Sequence, residues 1–427
     1  MPFESPLFSD RRAILADFDR VRANSERLAA PLTPEDWMLQ SMTEASPVKW
    51  NLAHTSWFFE TFVLRPHAPG YDAFHPEFGY LFNSYYNQVG RMHPRPDRGM
   101  ISRPSAEDIL AFRAHVDEAV KRFVEAAPDE KVGEIAPLMA LGLAHEEQHQ
   151  ELLLTDLKHA LFQNPLLPGV YEEDEAGGKI AAPALSWEQM EGGLCEFGCE
   201  GADRFAFDNE GPRHKAYLHP FLLASRPVTN REFIEFIDDG GYQNPDHWLS
   251  DAWEAINQDQ WAGPLYWRRA DDGWREYTLF GERPVRLDAP VCHVSQYEAA
   301  AYASWAGARL PTEFEWEAAA SLFKLEGRFM RQGAPRAPAP AGGGARLKQL
   351  FGDVWEWTAS PYVAYPGYAP EKGAIGEYNG KFMSGQMVLK GGSCATPEGH
   401  MRVSYRNFFP PAARWQFSGF RLAWDCD

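Results

Sequence analysis

His145-Glu-Glu-Gln-His149-Gln-Glu151, inside the long run from Gly133 to Phe162, is the stretch on which the reading of this chain turns. Residues four apart lie on one face of a helix, so the two imidazoles can reach a single ion. A third ligand must come from another element. His54 sits in Val48 to Leu64, a predicted helix that follows Pro47 and is apolar almost all round (Trp50, Leu52, Trp57, Phe58, Phe59, Phe62, Val63), hence buried on several sides. Bundle cores build metal sites from side chains on facing helices. Three neutral imidazoles, His54, His145 and His149, suit Fe(II), Zn(II), Ni(II) or Cu(II) and leave coordination positions open for chemistry. Two plainer readings stand beside this one: His54 as a hydrogen-bonded core histidine, and His145 and His149 on a solvated face with Glu146 and Glu147. The run also matches the zinc-protease pattern H-E-x-x-H, but a third histidine 91 positions upstream on a different helix does not resemble that fold.

Working outward, the spacing of Ile14, Phe18, Val21 and Leu28 predicts an amphipathic helix over Arg11 to Ala29. Another runs from Ser105, an N-cap with Asp108 three residues on, to Ala126. The Gly133 to Phe162 helix stops before Asn164-Pro165. Four such helices imply a bundle over residues 1–165. The Arg65 to Pro104 stretch is too long for an ordinary bundle connection, and its aromatics argue for an ordered, functional loop. A linker is expected at 166–184, including the acidic segment Tyr171 to Lys179, and a second domain at 185–427. There the runs are short and punctuated by Gly, Pro, Asp and Trp, with helices at Ser295 to Ala306 and from Thr312. Ala334 to Gly344 reads as a mobile surface loop.

Composition narrows the function. Among 427 residues, 44% are apolar and 14% aromatic, enough for more than one core. A net charge of -19 argues against a nucleic-acid partner or an anionic membrane surface. No signal-peptide pattern opens the chain and no apolar run approaches a membrane span, so a soluble cytoplasmic protein is expected. Five cysteines without zinc-finger spacing fit a reducing compartment.

Two resemblances now become specific. With His54 as third ligand, the His145, His149 and Glu151 pattern resembles the DinB-like four-helix domain of the ergothioneine-pathway nonheme iron sulfoxide synthases (EgtB). The second half resembles the formylglycine-generating-enzyme-like (sulfatase-modifying factor) domain. Its match runs through Pro227-Val-Thr-Asn230, Trp305 to Trp316, Gly352-Asp-Val-Trp-Glu-Trp357, Gly391-Gly-Ser393 and Gly419-Phe-Arg-Leu422. The implied fold class is α+β: a DinB-like four-helix bundle, then a C-type-lectin-like mixed domain with little regular secondary structure. Cysteine oxidation of the formylglycine type is not expected, because only Cys394 follows the Gly-Gly-Ser, with Thr396 and Met401 where thiols would stand.

The combined resemblance implies an Fe(II)- and O2-dependent enzyme that forms a carbon-chalcogen bond at C2 of the imidazole of hercynine. The sulfur donor would be cysteine or gamma-glutamylcysteine. It implies Tyr85 as catalytic acid with Tyr86 beside it, and either phenol remains a candidate. Arg95 and Arg98 match arginines that bind the donor carboxylate. Gln148 matches a contact to the betaine, and Phe408, Phe409, Trp415 and Phe417 lie in a segment that faces the bundle in the family. Trp355 and Trp357 are expected in core packing. Lys381-Phe-Met-Ser384-Gly385-Gln386 has Ser-Gly where Cys-Asn is usual, and Asn51 stands where histidine is common. These departures keep open a selenol donor, as in the selenoneine synthase SenA, which joins a selenosugar to hercynine. A DinB-like thiol-dependent transferase or hydrolase using zinc or nickel is another reading, and a noncatalytic binding protein a third. Oligomeric state is not legible.

Overall fold

The computed structural model describes residues 10–172, 180–200 and 205–426; residues 173–179 of the expected linker lie outside the described residues. Four long helices dominate the first part: α1 Arg11–Ala29, α2 Val48–Phe59, α3 Ala106–Ala126 and α4 Asp129–Phe162. α3 opens with the expected capping box between Ser105 and Asp108. α4 begins four residues before the predicted start, after Pro128. Asp129 and Glu130 suit the first turn of a helix, and Gly133 lies inside it. α2 also departs from expectation: Glu60–Leu64 form a π-helical turn and Arg65–His67 a last α turn. Glu60 is buried there and accepts from Tyr71 Oη (2.7 Å), Arg65 (3.0 Å) and the Phe74 amide (3.2 Å).

α4 packs on α1 and α2, and α2 on α3. The α2 contact is close because of Gly142: a Cβ there would lie 2.7 Å from Phe59 Cε1. Only glycine admits this approach, one turn before His145.

The second part is richer in regular structure than the sequence suggests, because its elements are too short to show periodicity. Helices α5 Asn230–Asp238, α6 Ser250–Gln258, α7 Gln296–Trp305 and α8 Glu313–Ala320 sit among strands of two to seven residues. β1 Trp187–Met190, β4 Phe221–Ala224 and β12 Ala423–Asp425 form one sheet in the order β1-β4-β12. β8 Trp355–Pro361, β9 Met387–Lys390, β10 Asn407–Phe409 and β11 Ser418–Gly419 form another, ordered β10-β9-β8-β11, with β11 parallel to β8. β2 Gly193–Phe197 pairs with β3 His214–Leu218; β5 Trp267–Ala270, β6 Gly273–Thr278 and β7 Gly281–Pro284 make an antiparallel meander. The architecture is α+β. The Ala334 to Gly344 stretch is pinned at its centre, not loose: Ala337 and Ala341 are buried, and the Ala339 amide donates to Asp353 at 2.9 Å. Among the described residues no helix is long and apolar enough to cross a membrane.

Candidate metal centre

At about 100° per residue, three faces of α4 separate cleanly. His145 and His149 share one, Glu146 and Gln150 the next, and Glu147, Gln148 and Glu151 the third. The second face enters the bundle core. Glu146 is fully buried, ion-paired to Arg22 (2.8 Å) and Arg113 (3.0 Å), and accepts from Ser25 Oγ at 2.6 Å. Burial alone would raise its pKa, but the two guanidiniums hold it down to about 2. The reading of Glu146 and Glu147 as a solvated face is therefore wrong, since both are buried, and Glu146 has no freedom to act as a protease base.

The third face meets the second domain. Glu151 accepts from Trp355 Nε1 (2.7 Å), Ser393 Oγ (2.6 Å) and Thr396 Oγ1 (2.8 Å). Trp355 is thus more than packing. Gln148 donates to Tyr405 Oη at 2.6 Å and accepts from Tyr378 Oη. Glu147 meets His400 Nδ1 at 3.0 Å.

On the first face the triad forms. His54, His145 and His149 offer ligand nitrogens that all lie within 4.8 Å of one another. His54 is buried between Trp50 (ring centroids 4.5 Å apart) and Trp57 (5.3 Å), its neighbours one turn before and after. Its Nδ1 donates to the Phe82 carbonyl at 2.6 Å, which leaves the lone pair on Nε2, an atom without a protein partner. His149 Nδ1 likewise donates to Asn51 Oδ1 at 2.7 Å. Asn51 is held in that orientation because its Nδ2 donates to the carbonyls of Ser46 and Pro47 (3.2 and 3.3 Å). Among the described residues His145 has no partner on either nitrogen. Burial pushes His145 down to about 3 and His54 and His149 well below the usual imidazole range, so all three are neutral, as ligands must be. Converging imidazoles, with buried nitrogens on His54 and His145 that have no partner among the described residues, fit a bound metal ion better than hydrogen-bonded core histidines.

Around the triad, the loop before α3 supplies Tyr85 and Tyr86, stacked at 4.7 Å. The Tyr86 hydroxyl is buried beside that of Tyr85, and burial raises both phenols above their usual range. The loop is gripped from the second domain. Glu377 accepts from the Asn87 and Gln88 amides (3.0 and 2.9 Å), and Lys381 donates to the Tyr85 carbonyl and lies 4.8 Å over its ring. Arg98 is buried over Trp50 (3.4 Å), donating to Ser46 Oγ (2.9 Å) and Ser84 Oγ (3.1 Å). Among the described residues it has no carboxylate partner, and burial, with Arg95 adding to it, pushes its pKa down to about 9. Arg95 itself is exposed and donates to the Glu44 carbonyl.

The remaining sequence candidates divide. Phe408 reaches the rim through Phe382, which packs on Tyr85 (5.9 and 5.4 Å). Ser384 is exposed. Phe409 and Trp415 pack on each other at 5.9 Å, and the Phe417 ring turns toward His293 (4.9 Å) because its backbone pairs with Trp355. Among the described residues, none of these three rings meets the triad or its tyrosines. The residue that does is Tyr378, 5.6 Å from His145 and stacked on Phe207 at 5.4 Å. Nothing in its local sequence signals this, because it hangs from an irregular segment whose path depends on the whole domain.

Asp156, two turns beyond His149, lies beside the arginines. Burial pushes its carboxyl up to about 7, although the Ser46 amide (2.8 Å) and the arginines pull the other way. Its folded pKa exceeds the unfolded value of about 3.9, so the folded state holds a proton the unfolded chain has lost. That contribution is present below about pH 4 and is lost as pH rises through 7. Asp156→Asn should therefore gain on the wild type in urea denaturation as pH goes from 5 to 8; a pH-independent difference would contradict the assignment.

With this geometry in hand, the comparisons with known proteins are informative. The DinB superfamily matches residues 17–153, and the sulfatase-modifying factor enzyme 1-like domain matches residues 186–345 and 343–426. The chain is 34% identical to the hercynine oxygenase of Mycolicibacterium smegmatis, over 89% of this chain and 91% of that protein. It is 35% identical to that of Mycolicibacterium thermoresistibile, over 90% and 88%. The formylglycine-generating enzyme of Thermomonospora curvata is 31% identical over 61% of this chain and 97% of its own length.

Proposed function

Since this chain belongs to the hercynine oxygenase family, we propose that it is an iron(II)- and O2-dependent oxidoreductase that joins sulfur to C2 of the imidazole of hercynine. The donor in this reading is cysteine or gamma-glutamylcysteine, and the product a sulfoxide. The observation that carries it is the convergence of three neutral imidazoles, two buried and His149 half-buried, whose ligand nitrogens all lie within 4.8 Å of one another.

Held by His54, His145 and His149, the iron would supply the redox chemistry and the open positions at which the reactants meet. The protein's part is orientation and exclusion. Phe82 and Asn51 fix the rings of His54 and His149, and the two tryptophans keep water from His54. Arg98, buried with only hydroxyl partners, offers a planar charged fork to the donor's carboxylate. The Tyr378 face, backed by Phe207, suits a permanently cationic trimethylammonium group, and Gln148 is held beside it by two phenols. Tyr85, kept protonated by burial, holds a proton on its hydroxyl at the edge of the site.

A selenosugar donor is the second reading. Gly385 is exposed with φ +66° and nothing within 4 Å of where a Cβ would stand, and on this reading the absence of a side chain there admits a bulkier donor. Anaerobic Fe(II) loading, then hercynine, O2 and a panel of cysteine, gamma-glutamylcysteine and a selenosugar, with mass detection, decides among these. A sulfur adduct of hercynine is expected. A selenium product alone would transfer the assignment to the second reading, and no consumption of hercynine with any donor would overturn both. In the same assay Tyr85→Phe should keep iron and hercynine binding while diverting turnover toward oxidation of the thiol. Unchanged yield and rate would mean that Tyr86 or Tyr378 supplies the proton.

A further inference from the structure

From the protein surface to the edge of the triad, one chain of hydrogen bonds runs along the third face of α4. It starts at Glu147, whose Oε1 accepts from exposed Arg20 at 3.2 Å. The other carboxylate oxygen meets Nδ1 of His400, a residue only 3% exposed, at 3.0 Å. His400 Nε2 lies 3.4 Å from Tyr405 Oη, which is 2.6 Å from Gln148 Nε2. Gln148 Oε1 accepts from Tyr378, whose ring is 5.6 Å from that of His145.

A hydroxyl has one proton to give, so in such a chain the direction of one link fixes the next. The Glu147 carboxylate, ion-paired with Arg20, offers only lone pairs, so His400 carries a proton on Nδ1. Tyr405 donates to His400 Nε2, the one acceptor its hydroxyl meets among the described residues. Its oxygen then receives an N–H of Gln148, and the amide carbonyl is left to Tyr378. All four links point outward, from Tyr378 to Glu147.

Gln148 by itself has no preferred direction. It sits between two phenols, each able to donate or accept, so its two amide orientations would serve them equally well. His400 breaks that symmetry, and it is held in place to do so. Its carbonyl accepts from Arg402 at 2.8 Å, and Arg402 is ion-paired with Glu210 at 2.6 Å. With the amide held this way, one N–H of Gln148 is committed to Tyr405 and the second has no partner among the described residues.

We propose that His400, locked by Glu147, is a positioning residue for the betaine: through Tyr405 it holds the Gln148 amide so that an N–H is spare for the carboxylate next to the trimethylammonium group. The inference rests on the hercynine reading and adds to it the residues that set the direction of the amide. Turned round, the amide would offer that carboxylate a carbonyl oxygen, and the hydrogen bond would be lost. Glu147→Gln tests this without a change of volume. Arg20 can only donate, so it keeps the carbonyl of the substituted side chain and the NH2 faces His400 Nδ1; the ring proton moves to Nε2 and the chain reverses. Hercynine is titrated calorimetrically into the anaerobic, Fe(II)-loaded full chain, with iron content measured alongside. Glu147→Gln and Tyr405→Phe should each weaken hercynine binding about tenfold, the scale of one hydrogen bond to a charged group, with iron content unchanged. Because both act through one chain, the double variant should bind no more weakly than either single variant, a coupling that separate structural defects would not produce. His400→Phe, which leaves α4 untouched, should show the same loss and guards against a disturbance of the helix by the first variant. A wild type that does not bind hercynine would overturn the hercynine reading and this inference with it. A wild type that binds, with variants that bind as tightly or with losses that add in the double variant, would overturn this inference alone.

Discussion

His54→Ala is expected to purify almost free of iron and to form no hercynine adduct, while keeping the helical content of the parent. In the proposed site the side chain is one of three ligands, so its loss should exceed the ~10–100-fold drop in affinity typical of losing a residue that only orients a ligand. Asn51→Ala supplies that smaller loss, because it frees the His149 ring without removing a donor to the metal. Iron analysis after anaerobic loading, read with circular dichroism, checks both. Full occupancy in His54→Ala would end the three-histidine assignment, and losses of equal size in both variants would refute the ranking.

The second large effect concerns folding. In Glu146→Ala two guanidiniums, Arg22 and Arg113, remain buried with one carboxylate removed from between them. Breaking a buried pair in this way costs about 3–5 kcal/mol, against a total stability of about 5–15 kcal/mol. Asp117 still pairs with Arg22 at 2.8 Å, whereas Arg113 keeps only the longer contact with half-exposed Glu26 at 3.6 Å, so Arg113 bears most of the loss. Chemical denaturation of the metal-free protein isolates this effect from iron binding. A change below about 1 kcal/mol would mean that water or a rearranged partner reaches Arg113.

Helices that bury one stripe over many turns were legible from the sequence. α1 occupies its predicted span, and the Ser105 cap of α3 and the Ser295 cap of α7 are where the side-chain chemistry puts them. α5 escaped notice although Thr229 and Glu232 form the same kind of box, because nine residues show too few turns for a period to emerge. α6 has no side-chain cap. The metal-binding pair could be found because helix geometry ties positions 145 and 149 to one face. His54 could be proposed as their third partner because it lies on a second, buried helix, with a hydrogen-bonded core histidine as the alternative, and the resemblance then joined it to them. Tyr378, Phe207 and the inward turn of Phe417 depend on how the irregular segments of the second domain are routed, which no local pattern encodes. Arg95 and Arg98 looked alike in sequence, yet Arg98 is buried under the bundle wall while Arg95, at the start of the same 3-10 segment, is exposed, a difference set by what packs over each end and not by local pattern.

The three-faced helix α4 also bears on how such an enzyme can change over generations. The histidines proposed to hold a metal and the rings that shape the space beside them are written in opposite ends of the gene, and Gln148 and Glu151 are where the two texts are stitched. On the proposed reading, substitutions around Tyr378 to Gly385 would retune which chalcogen compound is accepted while the histidines stay untouched, so donor preference would diverge between lineages that keep one metal site. The converse exchange is constrained. A second domain borrowed from a formylglycine-type protein would have to bring its own counterparts of Trp355, Ser393 and Thr396, or leave the Glu151 carboxylate buried with nothing to hold.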